Sequence, residues 1–170
     1  MNADDSSARD SQRSKVYAAE EFVRTLFDRA AEHGSTSVEF FGMPLTLPPE
    51  ARFGSLAAVR RYVDDVLALP AVRRQWPKVA PLRVRARRAS TAAHYENQDG
   101  TGIIAVPDHH DAGWAMRELV VLHEIAHHLC EVQPSHGSQY VTTLCTLAEL
   151  VMGPEAGHVL RVVYAKEGVR

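Results

Sequence analysis

Two histidines and a glutamate near the middle of the chain have the spacing of a metal-dependent hydrolytic site. Residues 123–127 follow the pattern His-Glu-x-x-His. On an α-helix, residues four positions apart lie on one face, so His123 and His127 can bind the same metal ion. Glu124 then projects beside the metal, where a carboxylate can act as general base toward water. With nine histidines and twelve glutamates in 170 residues, about 0.03 such matches are expected by chance.

A catalytic zinc needs a third protein ligand and an open position for water. His136 follows His127 by nine residues, after Pro134, and the adjacent Gly137 permits a sharp turn back toward the metal. His136 is therefore the favoured third ligand. Glu149, on the next predicted helix, is the rival. Cys130 is a weaker candidate, because it lies a further turn along the helix and is better explained as a buried structural thiol.

Two interpretations of the motif compete with hydrolysis. In the first, the histidines are core residues satisfied by hydrogen bonds, and Glu124 forms a salt bridge. In the second, the protein is a regulatory or binding module without hydrolytic activity, and one form of this interpretation associates it with nucleic acid. Its zinc is then structural, and a residue such as Cys130 or Glu149 closes the fourth position.

The site also resembles a known family. Residues 122–129, Leu-His-Glu-Ile-Ala-His-His-Leu, together with His136-Gly137-Ser138-Gln139-Tyr140, resemble the active site of zincin metallopeptidases, nearest the SprT-like proteins. From about Ser14 onward the chain is also similar to a small actinobacterial family of metallohydrolases, and the similarity includes Gly153-Pro154-Glu155-Ala156-Gly157, Leu160-Arg161, Tyr164 and Gly168-Val169. The resemblance implies a zincin-like fold, zinc held by His123, His127 and His136, and Glu124 as the base. The chain lacks the C-terminal Cys-x-x-Cys pair of many SprT-like proteins, and Tyr140 stands where Phe is usual, so DNA-linked proteolysis is not implied.

The elements that must position these residues predict an α+β fold. We expect a disordered tail over residues 1–13 and a single zincin-like domain over 14–170. In that domain a small, mostly antiparallel sheet packs on helices, one of which is buried and contains the motif. Helical periodicity predicts helices over 14–34, 55–69, 112–131, 138–152 and 155–167. Short strands are predicted over 37–41, 45–47, 82–87, 91–96 and 101–106, with an Asp-Gly hairpin turn at 99–100.

Composition restricts the class of protein. Apolar residues make up 45% and charged residues 24% of the chain, and the net charge is −2, which is typical of a globular domain with no overall attraction to nucleic acid or anionic membranes. No apolar run is long enough to span a membrane, and the N-terminus has no secretory signal. With two cysteines only, we expect a cytoplasmic protein. Together with the motif and the resemblance, this predicts a zinc metallopeptidase that acts on a peptide or protein substrate and has no membrane partner.

Several other residues are candidates for secondary roles. The strand over 101–106 is either an edge strand that pairs with an extended substrate or an ordinary core strand. His109 and His110 lie in a loop that precedes the motif helix, and His128 is expected to make a supporting hydrogen bond. Four residues are open candidates for stabilising an oxyanion: Tyr140, His158, Arg161 and Tyr164. Nine basic residues between Arg60 and Arg88 form either a nucleic-acid patch or, as we favour, a solvated face of the sheet.

Overall fold

The computed structural model describes residues 9–108 and 113–170. Within these ranges the chain forms six helices: α1 (Arg13–Glu32), α2 (Leu56–Ala68), α3 (Pro70–Gln75), α4 (Glu118–Leu129), α5 (Ser138–Met152) and α6 (Pro154–Lys166). The strands are β1 (Ser37–Phe40), β2 (Met43–Thr46), β3 (Leu82–Arg87), β4 (His94–Gln98) and β5 (Thr101–Pro107). The predicted α+β class is confirmed.

The strands form two small sheets. β1 and β2 make an antiparallel hairpin, while the second sheet has the order β3-β5-β4. β5 is parallel to β3 and antiparallel to β4, so the prediction of antiparallel pairing is correct for two of the three strand pairs. β5 lies in the centre of its sheet. Of the two interpretations of residues 101–106, the core strand is therefore correct and the edge strand is wrong. The edge beside the motif helix belongs to β4.

The turn between β4 and β5 confirms the sequence prediction. Asp99 and Gly100 both have positive φ, 50° and 82°, as a two-residue type I′ hairpin turn requires. The side chain of Asn97 accepts a hydrogen bond from Gly100 N at 3.1 Å. This tight turn sets the register in which Tyr95 pairs with Ile104.

The motif helix α4 is buried but shorter than predicted. It begins at Glu118, and the predicted start near Ala112 lies outside the described residues. Arg117, directly before it, is extended (φ −130°, ψ 151°) and forms an antiparallel bridge with Arg52. The buried Arg117 guanidinium also pairs with Glu50 at 2.5 Å. These tertiary contacts keep the backbone extended up to the first residue of α4.

Helix α1 packs against α6, and α5 packs against both α4 and α6. The buried face of α1 has residues at three- and four-residue spacing, and one of them, Glu20, is charged. Within the predicted tail, Asp10 and Gln12 contact the loop before α5, and residues 1–8 lie outside the described residues. In the described part of the chain, no helix combines the length and the hydropathy needed to cross a membrane.

Candidate metal centre

Three imidazoles converge in the second half of α4. His123 and His127 lie one helical turn apart with their Nε2 atoms 3.1 Å from each other, and His136 joins them from the loop before α5. One ring nitrogen from each histidine lies within 4.8 Å of the other two. Within residues 9–108 and 113–170, this is the one group of three or more His, Cys, Asp or Glu side chains close enough to hold a metal ion.

A tight turn returns His136 to the helix. Gly137 N donates a hydrogen bond to Pro134 O at 2.9 Å. A Cβ atom at Gly137 would lie 3.1 Å from both Cγ and O of Pro134, closer than ordinary van der Waals contact. Glycine thus allows the backbone to fold closely against Pro134, and α5 begins directly afterwards at Ser138.

A buried carboxylate from α1 orients the first histidine. Glu20 Oε2 lies 2.6 Å from His123 Nδ1, and Tyr164 donates its hydroxyl proton to Glu20 Oε1 at 2.6 Å. Tyr140 Oη lies 2.6 Å from the same Nδ1. Burial alone would raise the pKa of Glu20, but the charge and hydrogen bond of His123 outweigh burial and lower it. A carboxylate on Nδ1 fixes the ring and leaves Nε2 as the ligand atom.

A second carboxylate orients the third histidine. Asp10 Oδ2 lies 2.7 Å from His136 Nδ1. Two residues later, Gln12 Nε2 donates to the carbonyl oxygens of His136 and Arg170, at 3.2 and 2.8 Å. Arg170 N in turn donates to Gln12 Oε1 at 2.6 Å. The segment before α1 therefore holds both the side chain and the backbone of His136.

The nitrogens that face each other fit a metal ion. His136 Nε2 is buried and has no hydrogen-bond partner among the described residues, which is costly for a polar atom unless a ligand satisfies it. Burial, and then the charges of His123 and His136, lower the pKa of His127 to about 2. His127 is therefore neutral at physiological pH, the form in which imidazole binds metals. Three imidazole nitrogens suit zinc, copper, iron or nickel.

A cleft of about 250 Å³ opens onto these imidazoles. Glu124 lies in its wall and is only 6% exposed. Burial raises the pKa of Glu124, although the positive charge of His123 opposes the rise. A carboxyl group with a raised pKa is a better proton acceptor than an ordinary glutamate. The cleft is lined by Asp10, Arg13, Tyr17, Ala93, His94, Tyr95, His123, Glu124, His127, Ser135 and His136.

The structure does not bring the two rival ligands to this group. Glu149 pairs with Arg161, and both side chains are more than 40% exposed. Cys130 follows the last residue of α4 and is partly buried against the core. No fourth protein ligand joins the three histidines among the described residues, and the side of the group that faces the cleft is not closed by one.

His128 makes the supporting contact expected of it. Its Nε2 lies 2.8 Å from Ala80 O, so Nε2 carries the proton and donates. Its Nδ1 is then the acceptor for the hydroxyl of Tyr95, at 3.1 Å. The ring lies directly over Gly102 of β5, where a Cβ atom would lie 2.3 Å from Nδ1. This contact fixes the distance between α4 and the sheet.

None of the four oxyanion candidates from the sequence lines the cleft, although the ring of Tyr140 packs against the ring of His127, with centroids 4.4 Å apart. Tyr140 and Tyr164 are buried and contact Glu20. Arg161 pairs with Glu149, and the ring of His158 lies 6.3 Å from that of Phe40. His109 and His110 lie outside the described residues.

Glu20, Asp10 and Tyr17 contribute to the site without having been predicted. The sequence does contain a signal for Glu20, because this charged residue interrupts the apolar stripe of α1 that includes Val16 and Val23. Charged residues are rarely buried without a partner, so the position indicates a buried polar partner. Asp10 has none, since it lies in a polar segment whose composition predicts a tail. Tyr17 is one of several aromatic residues on α1, and nothing in the sequence distinguishes it.

The basic stretch includes an outward-facing part of the sheet. Arg83 and Arg85 on β3 are exposed, and Val84 between them is buried. Arg85 pairs with Glu96 of β4 at 2.8 Å, and Arg87 donates to Ala92 O at 2.7 Å. This alternation is the one expected for a solvated sheet face.

Comparisons of the chain with protein-family models, curated protein sequences and solved structures gave no significant match. The resemblance to zincins therefore rests on the motif residues, and the zincin-like fold stays a prediction.

Proposed function

We propose that this protein is a zinc-dependent hydrolase, and specifically a metallopeptidase. The observation that supports it most strongly is the convergence of His123, His127 and His136 on a cleft whose wall includes Glu124. Three nitrogen ligands with an open position are typical of catalytic zinc sites, whereas structural zinc sites have four protein ligands.

Bound zinc would supply a Lewis acid that lowers the pKa of a water molecule to about 7 and polarises a carbonyl group. The protein contributes ligands held in one orientation, His123 by Glu20 and His136 by Asp10. Such supporting carboxylates also raise the basicity of their imidazoles.

Glu124 moves the proton. Its carboxylate takes the proton from the attacking water and passes it to the leaving amine. Burial suits Glu124 to this role, because it raises the pKa of the carboxyl group from its ordinary value toward neutral pH. The backbone of Tyr95 favours the ionised carboxylate and so partly opposes the rise of the Glu124 pKa.

A peptide is the substrate class that fits the surroundings. β4 borders the cleft through His94 and Tyr95. On the side away from β5, no other strand of the described chain pairs with β4. An extended peptide can add to such an edge through backbone hydrogen bonds, which places its carbonyl groups in a row along the strand.

The test uses Glu124→Gln, which keeps the shape of the side chain and removes the base. We expect the variant to retain about one zinc per chain and to lose turnover by about 10²-fold or more. Because it still binds substrate, comparing the proteomes of cells that express wild type and variant identifies proteins that only the wild type cleaves.

Glu131→Gln is the matched control, because it makes the same change at an exposed position after α4 and outside the cleft. Loss of zinc from Glu124→Gln, or identical cleavage products in both cell lines, would contradict the assigned role.

A further inference from the structure

Tyr17 of α1 stands at one wall of the cleft. Its ring is stacked at 29° to the ring of His123 with centroids 5.5 Å apart, and it lies 5.2 Å from the ring of His136. The residue is 40% exposed. It thus combines contact with two of the proposed ligands and access from the cleft.

The hydroxyl of Tyr17 differs from those of the other four tyrosines, all of which the structure describes. Tyr62 donates to Glu118, Tyr95 to His128, and Tyr164 to Glu20, while Tyr140 contacts His123. Among the described residues, no carboxylate, imidazole or backbone carbonyl group accepts a hydrogen bond from the Tyr17 hydroxyl. A neutral phenol is a hydrogen-bond donor, so this donor is available in the cleft.

Arg13, one helical turn earlier, places a positive charge beside Tyr17. Its guanidinium carbon lies 5.6 Å from the centre of the Tyr17 ring, and its side chain lines the same cleft. It forms no ion pair with any described residue, in contrast to Arg52, Arg85, Arg117 and Arg161. Both residues lie in the first two turns of α1, whose positive end also favours an anion.

We propose that Tyr17, supported by Arg13, is a catalytic residue that donates a hydrogen bond to negative charge developing on the substrate carbonyl oxygen. This inference rests on the proposed hydrolase function. Such a step needs a donor that is fixed before the reaction and points to where charge develops. The stacked ring fixes Tyr17, and none of the four sequence candidates for this role lines the cleft.

The test measures an anion in the cleft and needs no substrate. The protein is loaded with Co²⁺, and acetohydroxamate is titrated while the visible absorption of the metal is followed. We expect Tyr17→Phe to retain the metal, because the stacked ring remains, and to bind acetohydroxamate about tenfold more weakly. Arg13→Gln should weaken binding in the same direction. Lys15→Gln, which removes an exposed cation from the same turn of α1, is the control and should match wild type.

The outcomes separate the two proposals. Wild type that binds neither Co²⁺ nor Zn²⁺ would overturn the hydrolase proposal, and this inference with it. Metal-loaded wild type that does not bind acetohydroxamate, or Tyr17→Phe that binds it as wild type does, would overturn the inference alone. If Tyr17→Phe failed to keep its metal, Arg13→Gln would decide, because it leaves the Tyr17 ring in place against His123 and His136. Unchanged affinity in Arg13→Gln would then overturn the inference.

Discussion

Asp10 Oδ2 lies 2.7 Å from Nδ1 of His136, although 126 positions separate the two residues. Asp10, which precedes α1, therefore holds the side chain of a histidine in the loop between α4 and α5. Because a carboxylate on the far nitrogen fixes the tautomer and orientation of a ligand imidazole, we expect Asp10→Asn to lower zinc affinity by about 10- to 100-fold. Competition with a zinc-binding dye measures the change.

Asp65→Asn is the control for that substitution, because Asp65 is exposed on α2 and does not line the cleft. Unchanged zinc affinity in Asp10→Asn would show that the contact does not orient His136 for a metal.

Zinc should stabilise the fold through His136. Chelation is expected to lower the Tm of wild type, because a ligand held at 100 times its Kd contributes about 2.7 kcal/mol to stability. His136→Ala should abolish this chelator-dependent shift, whereas Glu149→Gln should preserve it. Thermal unfolding with and without chelator measures both. A full shift in His136→Ala, or its loss in Glu149→Gln, would move the third ligand to Glu149.

Gly102 sets how closely α4 approaches the sheet. An alanine Cβ would lie 2.3 Å from Nδ1 and 2.7 Å from Cε1 of His128, so the ring or the helix must move. We expect Gly102→Ala to reduce the free energy of unfolding by about 1–3 kcal/mol, as overpacked cores do. Urea denaturation measures the loss. Gly54→Ala is the control, because its Cβ would meet no atom within 4 Å, and equal stability of the two variants would refute the argument.

Asp28 forms ion pairs with Arg52 at 2.5 Å and with Arg117 at 3.0 Å, which should make stability depend on pH. Burial raises the pKa of Asp28, but hydrogen bonds and charges from Arg117 and Arg52 outweigh it, so the folded-state pKa lies below the ordinary value. Stability from this carboxylate is therefore full above its unfolded pKa of about 3.9 and is lost as pH falls through the folded pKa. We expect Asp28→Asn to cost up to about 1 kcal/mol at pH 7, because this partly exposed pair is screened by solvent.

The difference in free energy of unfolding between wild type and Asp28→Asn should shrink below pH 4. Denaturation at several pH values tests this expectation, and a constant difference down to pH 2 would contradict it.

The sequence was sufficient for the features that depend on local spacing. The His-Glu-x-x-His pattern predicts two imidazoles on one helical face, and Asp99-Gly100 predicts the hairpin turn. Serine is a preferred residue at a helix N-cap, and Ser55 caps α2, since its side chain accepts a hydrogen bond from Ala58 N at 3.1 Å. Each depends on residues within one turn of each other, where backbone geometry alone sets the relation.

Features that depend on distant contacts were not predictable in this way. The order β3-β5-β4 follows from a crossover, so periodicity could not show that β5 is central. The start of α4 is set by the pairing of Arg117 with Arg52 and Glu50. Glu20 and Asp10 reach their histidines across 103 and 126 residues.

Those separations also bear on the order of events in folding. We expect contacts between residues this far apart in sequence to form late, because closing long loops costs chain entropy before the contact is made. The carboxylates that orient His123 and His136 would thus be absent from the folding nucleus. A metal bound by the finished site would then slow unfolding and leave the refolding rate almost unchanged.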